Sequence, residues 1–325
     1  MRRNKIFSAL TLVVSCLLCA LSLEIFVRVA IDDGMQYDLE MWKYARDLKR
    51  VANDPRIGHE HVPNSAEHLM GVDVSINSKG LRDREFSYQR DPAKRRILML
   101  GDSITEGWGV PVDKTFAKRI EQLSATRGKP MEVINAGVGN YNTIMEVEYF
   151  LQGGYKFQPD VVVLNYFIND AEPVPPHPTV NFLRGHCESC IFLNSSLDAV
   201  MRWCSLRPDW SRYYSDLYDH GNARGWLDAK DSIRKLAEYC KLHNFKLLIA
   251  NIPELHDVNH YPFGEISNLL ARTASENAVE FVDLVPALAS TDSTSLWVSR
   301  GDQHPNAYAH DLMARALFSK LETMP

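Results

Sequence analysis

Two short stretches hold side chains suited to nucleophilic chemistry: Gly101-Asp102-Ser103-Ile104-Thr105, and Asp302-Gln303-His304-Pro305-Asn306 near the end of the chain. A serine hydroxyl becomes a nucleophile only when a base takes its proton, and the base needs a group to orient it. Ser103, His304 and Asp302 are candidates for those three catalytic roles. Attack on an acyl carbon also needs donors aimed at the oxyanion that forms. The Ser103 amide, the Gly137 amide in Asn135-Ala136-Gly137 and the Asn169 side chain in Asn165-Tyr166-Phe167-Ile168-Asn169-Asp170 are the candidates. Asp102 and Asp170 adjoin them as supporting residues. A Gly-Asp-Ser turn or a histidine ahead of a helix is ordinary when taken alone. Their joint placement argues for chemistry.

That placement depends on the elements between them. Short apolar runs at 96–100, 132–135, 161–165, 246–251 and 280–283 read as strands buried on both faces. Amphipathic segments at 113–126, 142–154, 224–243, 263–277 and 306–322 read as the helices between and after them. Strand–helix alternation predicts a parallel sheet covered on both sides, with functional loops at the carboxyl ends of its strands. The first three strands run into the three motif loops. Residues 171–223 interrupt the alternation with Pro173, Pro175, Pro176 and Pro178 and then an aromatic-rich stretch, read as a helical cap over the site face. Trp108, Trp203 and Trp210 could stack on sugar faces, although core packing is the commoner use of such rings.

The 325 residues carry 36 basic and 41 acidic side chains, a balance that excludes a protein built to hold nucleic acid. No phosphate loop or dinucleotide fingerprint is present, and no cofactor is implied. Two sets have the composition of metal ligands: His59, Glu60 and His61, which also read as a solvated stretch, and His186, Cys187, Cys190 and Cys204, whose three cysteines also read, with Cys240, as the disulfide cysteines outside the apolar N-terminus. The structural readings are preferred, so no metal is expected.

Arg2, Arg3 and Lys5 precede an uncharged stretch at 6–23. Its length suits a bilayer-spanning helix, and the basic flank places the remainder outside the cytoplasm. An uncleaved anchor is preferred to a cleaved leader or to lipidation at Cys16. Glu24 and Arg28, four residues apart, could pair at the outer interface. The expected layout is a cytoplasmic tip and anchor at 1–31, a linker, helix and lead-in strands at 32–76, and the main domain at 77–325. Asp283, at the end of the last strand, is the fallback for the orienting acid.

The four blocks Gly101-Asp102-Ser103, Gly137, Asn169-Asp170 and His304 resemble the SGNH hydrolase superfamily of GDSL-type esterases, over about residues 77–322. Asn77-Ser78-Lys79-Gly80-Leu81-Arg82 resembles the lead-in of its membrane-anchored bacterial members. Two positions depart from the family pattern: Phe167 stands where glycine is usual, and Gly301 where the acid is usual, leaving Asp302 two before His304. The resemblance implies an α/β fold, a flavodoxin-like three-layer α/β/α sandwich on a five-stranded parallel sheet. It also implies a serine ester hydrolase acting on acyl esters, envelope carbohydrate among them. An O-acyltransferase using the same triad, or a non-catalytic glycan- or partner-binding protein, are the alternatives.

Overall fold

The computed structural model describes residues 2–174, 185–221 and 223–324. Pro175, Pro176 and Pro178 of the insertion lie outside them. Five parallel strands form the centre: β1 (Arg95–Gly101), β2 (Met131–Gly137), β3 (Val161–Tyr166), β4 (Lys246–Asn251) and β5 (Glu280–Asp283), in the order β2-β1-β3-β4-β5. These are the five runs expected from their continuous apolar character.

Alternation along each strand feeds two cores. Leu98, Leu100, Val162 and Leu164 face one side, and Ile97, Met99, Val161 and Val163 the other. Helices α4 (Thr143–Gln152), α7 (Arg224–Leu242) and α8 (Gly264–Glu276) cover the first face with Phe150, Ile233 and Leu270. Helices α3 (Phe116–Thr126) and α9 (Ala307–Thr323) cover the second with Ile120, Met313 and Leu317. The result is a three-layer α/β/α sandwich.

N-terminal to the sheet, α1 (Arg2–Phe26) continues through a wide turn at Val27–Ile31. The apolar stretch Asn4–Ile31 is 28 residues, about 42 Å as a helix and long enough to cross a bilayer core. Helix α2 (Tyr37–Asp47) and two hairpins, Lys49–Val51 with His59–His61 and Ala66–Leu69 with Val72–Ser75, follow. The sequence suggests a linker, a helix and lead-in strands over 32–76, and the helix and hairpins found there also form an integral wall. Tyr44, Leu48, Leu69 and Val74 pack around Trp108 in a third apolar cluster.

The insertion is helical and divides between two places. Helix α5 (Glu188–Trp203) packs against α2 and the Val27–Ile31 turn. Helix α6 (Trp210–Asp216) lies over the sheet side, where Trp210 stacks on His256 and Tyr214 meets Phe167 edge-on. Only the second part lies near a motif loop.

Candidate active site

Ser103 opens a single helical turn, Ser103–Glu106, directly after β1. Asp102 caps that turn by accepting from the Ile104 amide at 2.9 Å. A Cβ on Gly101 would stand 2.0 Å from Thr105 Oγ1, so a side chain there would push the turn away from the strand. The same argument applies across the pair Gly101–Gly137 of β1 and β2. A Cβ on Gly137 would come within 2.3 Å of the Glu106 amide nitrogen and 2.9 Å of the Asp102 carbonyl.

His304 lies on a short strand, Asp302–Pro305, paired with Trp297–Ser299 ahead of α9. Its Nε2 is 2.8 Å from Ser103 Oγ and its Nδ1 is 2.6 Å from Asp302 Oδ1. With Nδ1–H donated to the carboxylate, Nε2 is left to accept the serine proton. The two-residue spacing works because Asp302 Oδ1 also accepts the His304 backbone amide at 3.0 Å, a local turn that aims the carboxylate at the ring. Asp302 Oδ2 accepts the Trp108 indole N–H at 2.9 Å. Tyr37 lies against the imidazole, ring centroids 5.6 Å apart.

Burial pushes the His304 imidazole down, but the Asp302 charge and hydrogen bond outweigh it, so its pKa is raised. Burial pushes Asp302 up, and His304, the backbone amide and the indole more than reverse this. The pair is therefore charged more readily than either group alone.

Behind the serine lies a contrasting group. Asp102 is pushed up to about 6, chiefly by burial, and the adjoining Asn169 side chain partly offsets that. Burial and neighbouring carboxylates drive Glu146 and Asp170 well above the ordinary range. Asp170 Oδ2 accepts the Phe167 amide at 3.0 Å, and no cation pairs with it among the described residues. Asn169 Oδ1 is buried without a partner.

The Gly137 expectation needs correction. Its amide is donated to Asn135 Oδ1 at 3.0 Å, because it still belongs to β2, so it is not an open donor. Gly137 instead allows the close packing of two strand ends. The other sequence candidates fall elsewhere. Asp283 Oδ1 accepts from Asn251 and from the Val285 amide, a turn role. Trp108 is buried, Trp210 is stacked on His256 and Trp203 is 85% exposed.

His59 and His61 are neither ligands nor solvated, since strand alternation turns both inward and Glu60 outward to Arg50. His59 meets the Gly139 carbonyl at 2.9 Å, and His61 bridges the Tyr44 hydroxyl and the Gly80 carbonyl. Lys49 reaches the Gly139 carbonyl and Asn140, and burial pushes its ammonium down to about 7. Cys187 and Cys190 form a disulfide, while Cys204 and Cys240 are free. Of the zinc quartet, two sulfurs are therefore unavailable. No group of three or more metal-ligating side chains is present among the described residues.

Sequence reading misses Tyr37 and Glu146, and misses the bond from Trp108 to Asp302. An indole two residues after a helical turn carries no signal of the acid it will meet. A cleft of about 720 Å³ by Arg90, Asp160 and Lys246 lies at the opposite ends of the strands.

A parallel α/β sheet with a serine, an imidazole and a carboxylate linked at the carboxyl ends of its strands has the form of an SGNH-type hydrolase. The chain belongs to the GDSL-like Lipase/Acylhydrolase family, whose model matches residues 99–312. It is 24% identical over 127 residues to an arylesterase of Vibrio mimicus, a match covering 39% of this chain. The chain spans only 62% of that relative's length. Among solved structures it is similar to a lipase/acylhydrolase from Enterococcus faecalis, at 14% identity and a TM-score of 0.46, covering 70% of this chain and 95% of that one. It is also similar to an acetylxylan esterase from Geobacillus stearothermophilus, at 14% identity and a TM-score of 0.47, covering 72% and 96%.

Proposed function

We propose that this protein is a membrane-anchored serine ester hydrolase that cleaves small acyl esters, with O-acylated envelope carbohydrate as the substrate class. The observation that carries this reading is the unbroken relay Ser103–His304–Asp302, at 2.8 and 2.6 Å. His304 Nε2 takes the Ser103 proton as Oγ attacks the ester carbonyl, and Asp302 stabilises the imidazolium that forms. The Ser103 amide and the Asn169 side chain receive the oxyanion. His304 then protonates the departing alcohol. Water, deprotonated by the same ring, releases the acyl group and restores the serine.

Enclosure supports a small acyl group. Ser103 is 7% exposed, and Tyr37 and Trp108 wall the imidazole. The carbohydrate assignment rests on location: the basic tip before α1 favours a sheet domain outside the cytoplasm, on the side where envelope glycans lie.

The test is turnover of p-nitrophenyl acetate and of acetylated xylooligosaccharides by the full chain in detergent, compared with Ser103→Ala. Acetate release that Ser103→Ala abolishes supports the reading. Inertness of the folded wild-type protein on every ester overturns it. Transfer of the acetyl group to an added sugar, in preference to water, replaces the hydrolase with an acyltransferase.

A further inference from the structure

The exposed large apolar side chains of the outer domain are mostly scattered singly, as on any soluble surface. The exception is α5 and the turn after it. Leu193, Leu197 and Val200 recur at helical spacing and are 51%, 58% and 54% exposed, followed by Trp203 at 85% and Leu206 at 72%. A 16-residue helix, about 24 Å long, thus has one apolar stripe that none of the described residues covers. Its other side is polar and occupied. Ser195 donates to the Phe192 carbonyl at 3.1 Å and neighbours Asp38 of α2, and Asp198 pairs with Arg202 and Arg207.

The start of this helix is fastened to the outer end of α1. The Glu24 carboxylate accepts the Glu188 and Ser189 amides at 3.0 and 2.9 Å. Arg28 pairs with the Glu188 carboxylate at 2.9 Å and donates to the His186 carbonyl at 2.9 Å. Glu24 and Arg28 are also paired with each other at 2.6 Å. Charged groups at the end of an apolar span settle at the headgroup level. The amino end of α5 therefore starts at that level, and its stripe begins at Leu193, five residues on from Glu188.

We propose that the apolar face of α5 is seated on the outer lipid surface of the same bilayer that α1 crosses, with Trp203 at headgroup depth. The helix is then an interfacial foot: its polar side holds α2, and α2 carries Tyr37 against His304. Lipid is the occupant that the ion-paired junction with the anchor favours, because the junction places the stripe where only lipid is guaranteed. The inference rests on the anchor reading of α1.

The test uses the full chain in phosphatidylethanolamine–phosphatidylglycerol vesicles, in a Cys16→Ala, Cys19→Ala, Cys204→Ser background. Nitroxides are attached singly at Leu193→Cys, Leu197→Cys, Val200→Cys, Arg202→Cys and Leu17→Cys. Collision with dissolved oxygen, which concentrates in lipid, is compared with collision with a water-soluble nickel chelate. The expected result is lipid-like behaviour at 193, 197 and 200, several-fold lower nickel collision there than at 202, and the deepest signal at 17. A deep label at 17 with water-exposed stripe positions overturns the foot and leaves the anchor standing. A water-exposed label at 17 overturns the anchor reading and the foot with it. Stripe labels shielded from both probes and broadened by a second label show a second copy covering the face, and also overturn the proposal.

Discussion

Two groups of buried carboxylates lie within reach of Ser103, and they behave oppositely. Asp302 is as sequestered as Asp170, 3% against 1% exposed, yet its pKa is lowered while that of Asp170 is driven well up. Burial works the same way on both. The difference lies in what faces them: an imidazole, an indole N–H and a backbone amide for Asp302, and for Asp170 a backbone amide and the Thr143 hydroxyl set against the Asp102 and Glu172 carboxylates. Partners, rather than depth, decide where the site keeps its negative charge. Asp302 keeps its charge where an imidazolium would form during acyl transfer.

The largest effect should come from neutralising the charged side of this pair. Asp302→Asn keeps the shape and removes the charge, and kcat should fall about 10⁴-fold. The same variant tests the titration. His304 is the base only when neutral, and its raised pKa keeps it protonated to higher pH than the ordinary value of 6.5. The acid limb of kcat/KM in the wild type should therefore fall above 6.5 and move down in Asp302→Asn. An unshifted limb would break the comparison. Next, Asn169→Ala should lower kcat about 10²–10³-fold, as for loss of one oxyanion donor. An unchanged rate would remove Asn169 from that role. Trp108→Phe deletes one hydrogen bond to Asp302 and keeps most of the packing, and should reduce kcat about tenfold.

The smallest effect should come from the other side. Burial and the neighbouring Asp170 and Asp102 push the Glu146 carboxyl well up, so Glu146→Gln, which keeps the shape without a charge, should leave turnover nearly unchanged. Its stability signature is distinct. A carboxyl whose folded pKa is raised binds more protons folded than unfolded, so stability falls as pH climbs past the ordinary glutamate value of 4.5 towards the folded pKa. Melting temperatures measured between pH 5 and pH 8 should decline less in Glu146→Gln than in the wild type. An equal decline in both would show that Glu146 is charged like Asp302.

Much of the fold was legible because its signals are local. Buried parallel strands such as Val161–Tyr166 are continuous apolar runs, and α7 and α8 have amphipathic spacing. Ser103 was legible because it stands at a strand end, and His304 because it lies in a short polar motif just ahead of the last helix. What was not legible depends on contacts between distant segments. Tyr37 reaches His304 from a region read as linker. Trp108 looks like core, and is, but its one polar atom finds Asp302. Gly137 marks a real close approach, yet the sequence does not show that Asn135 takes its amide. His59 and His61 mimic ligands because inward histidines hydrogen-bonding to backbone carbonyls and metal ligands leave the same pattern.

The central claim is that His304 activates Ser103. The most direct measurement is covalent labelling of the full chain with a fluorophosphonate, followed by peptide mass spectrometry. The account predicts a single adduct on Ser103, formed at least several hundred-fold more slowly in His304→Ala. An adduct on a different serine, or equal labelling rates in wild type and His304→Ala, would contradict it.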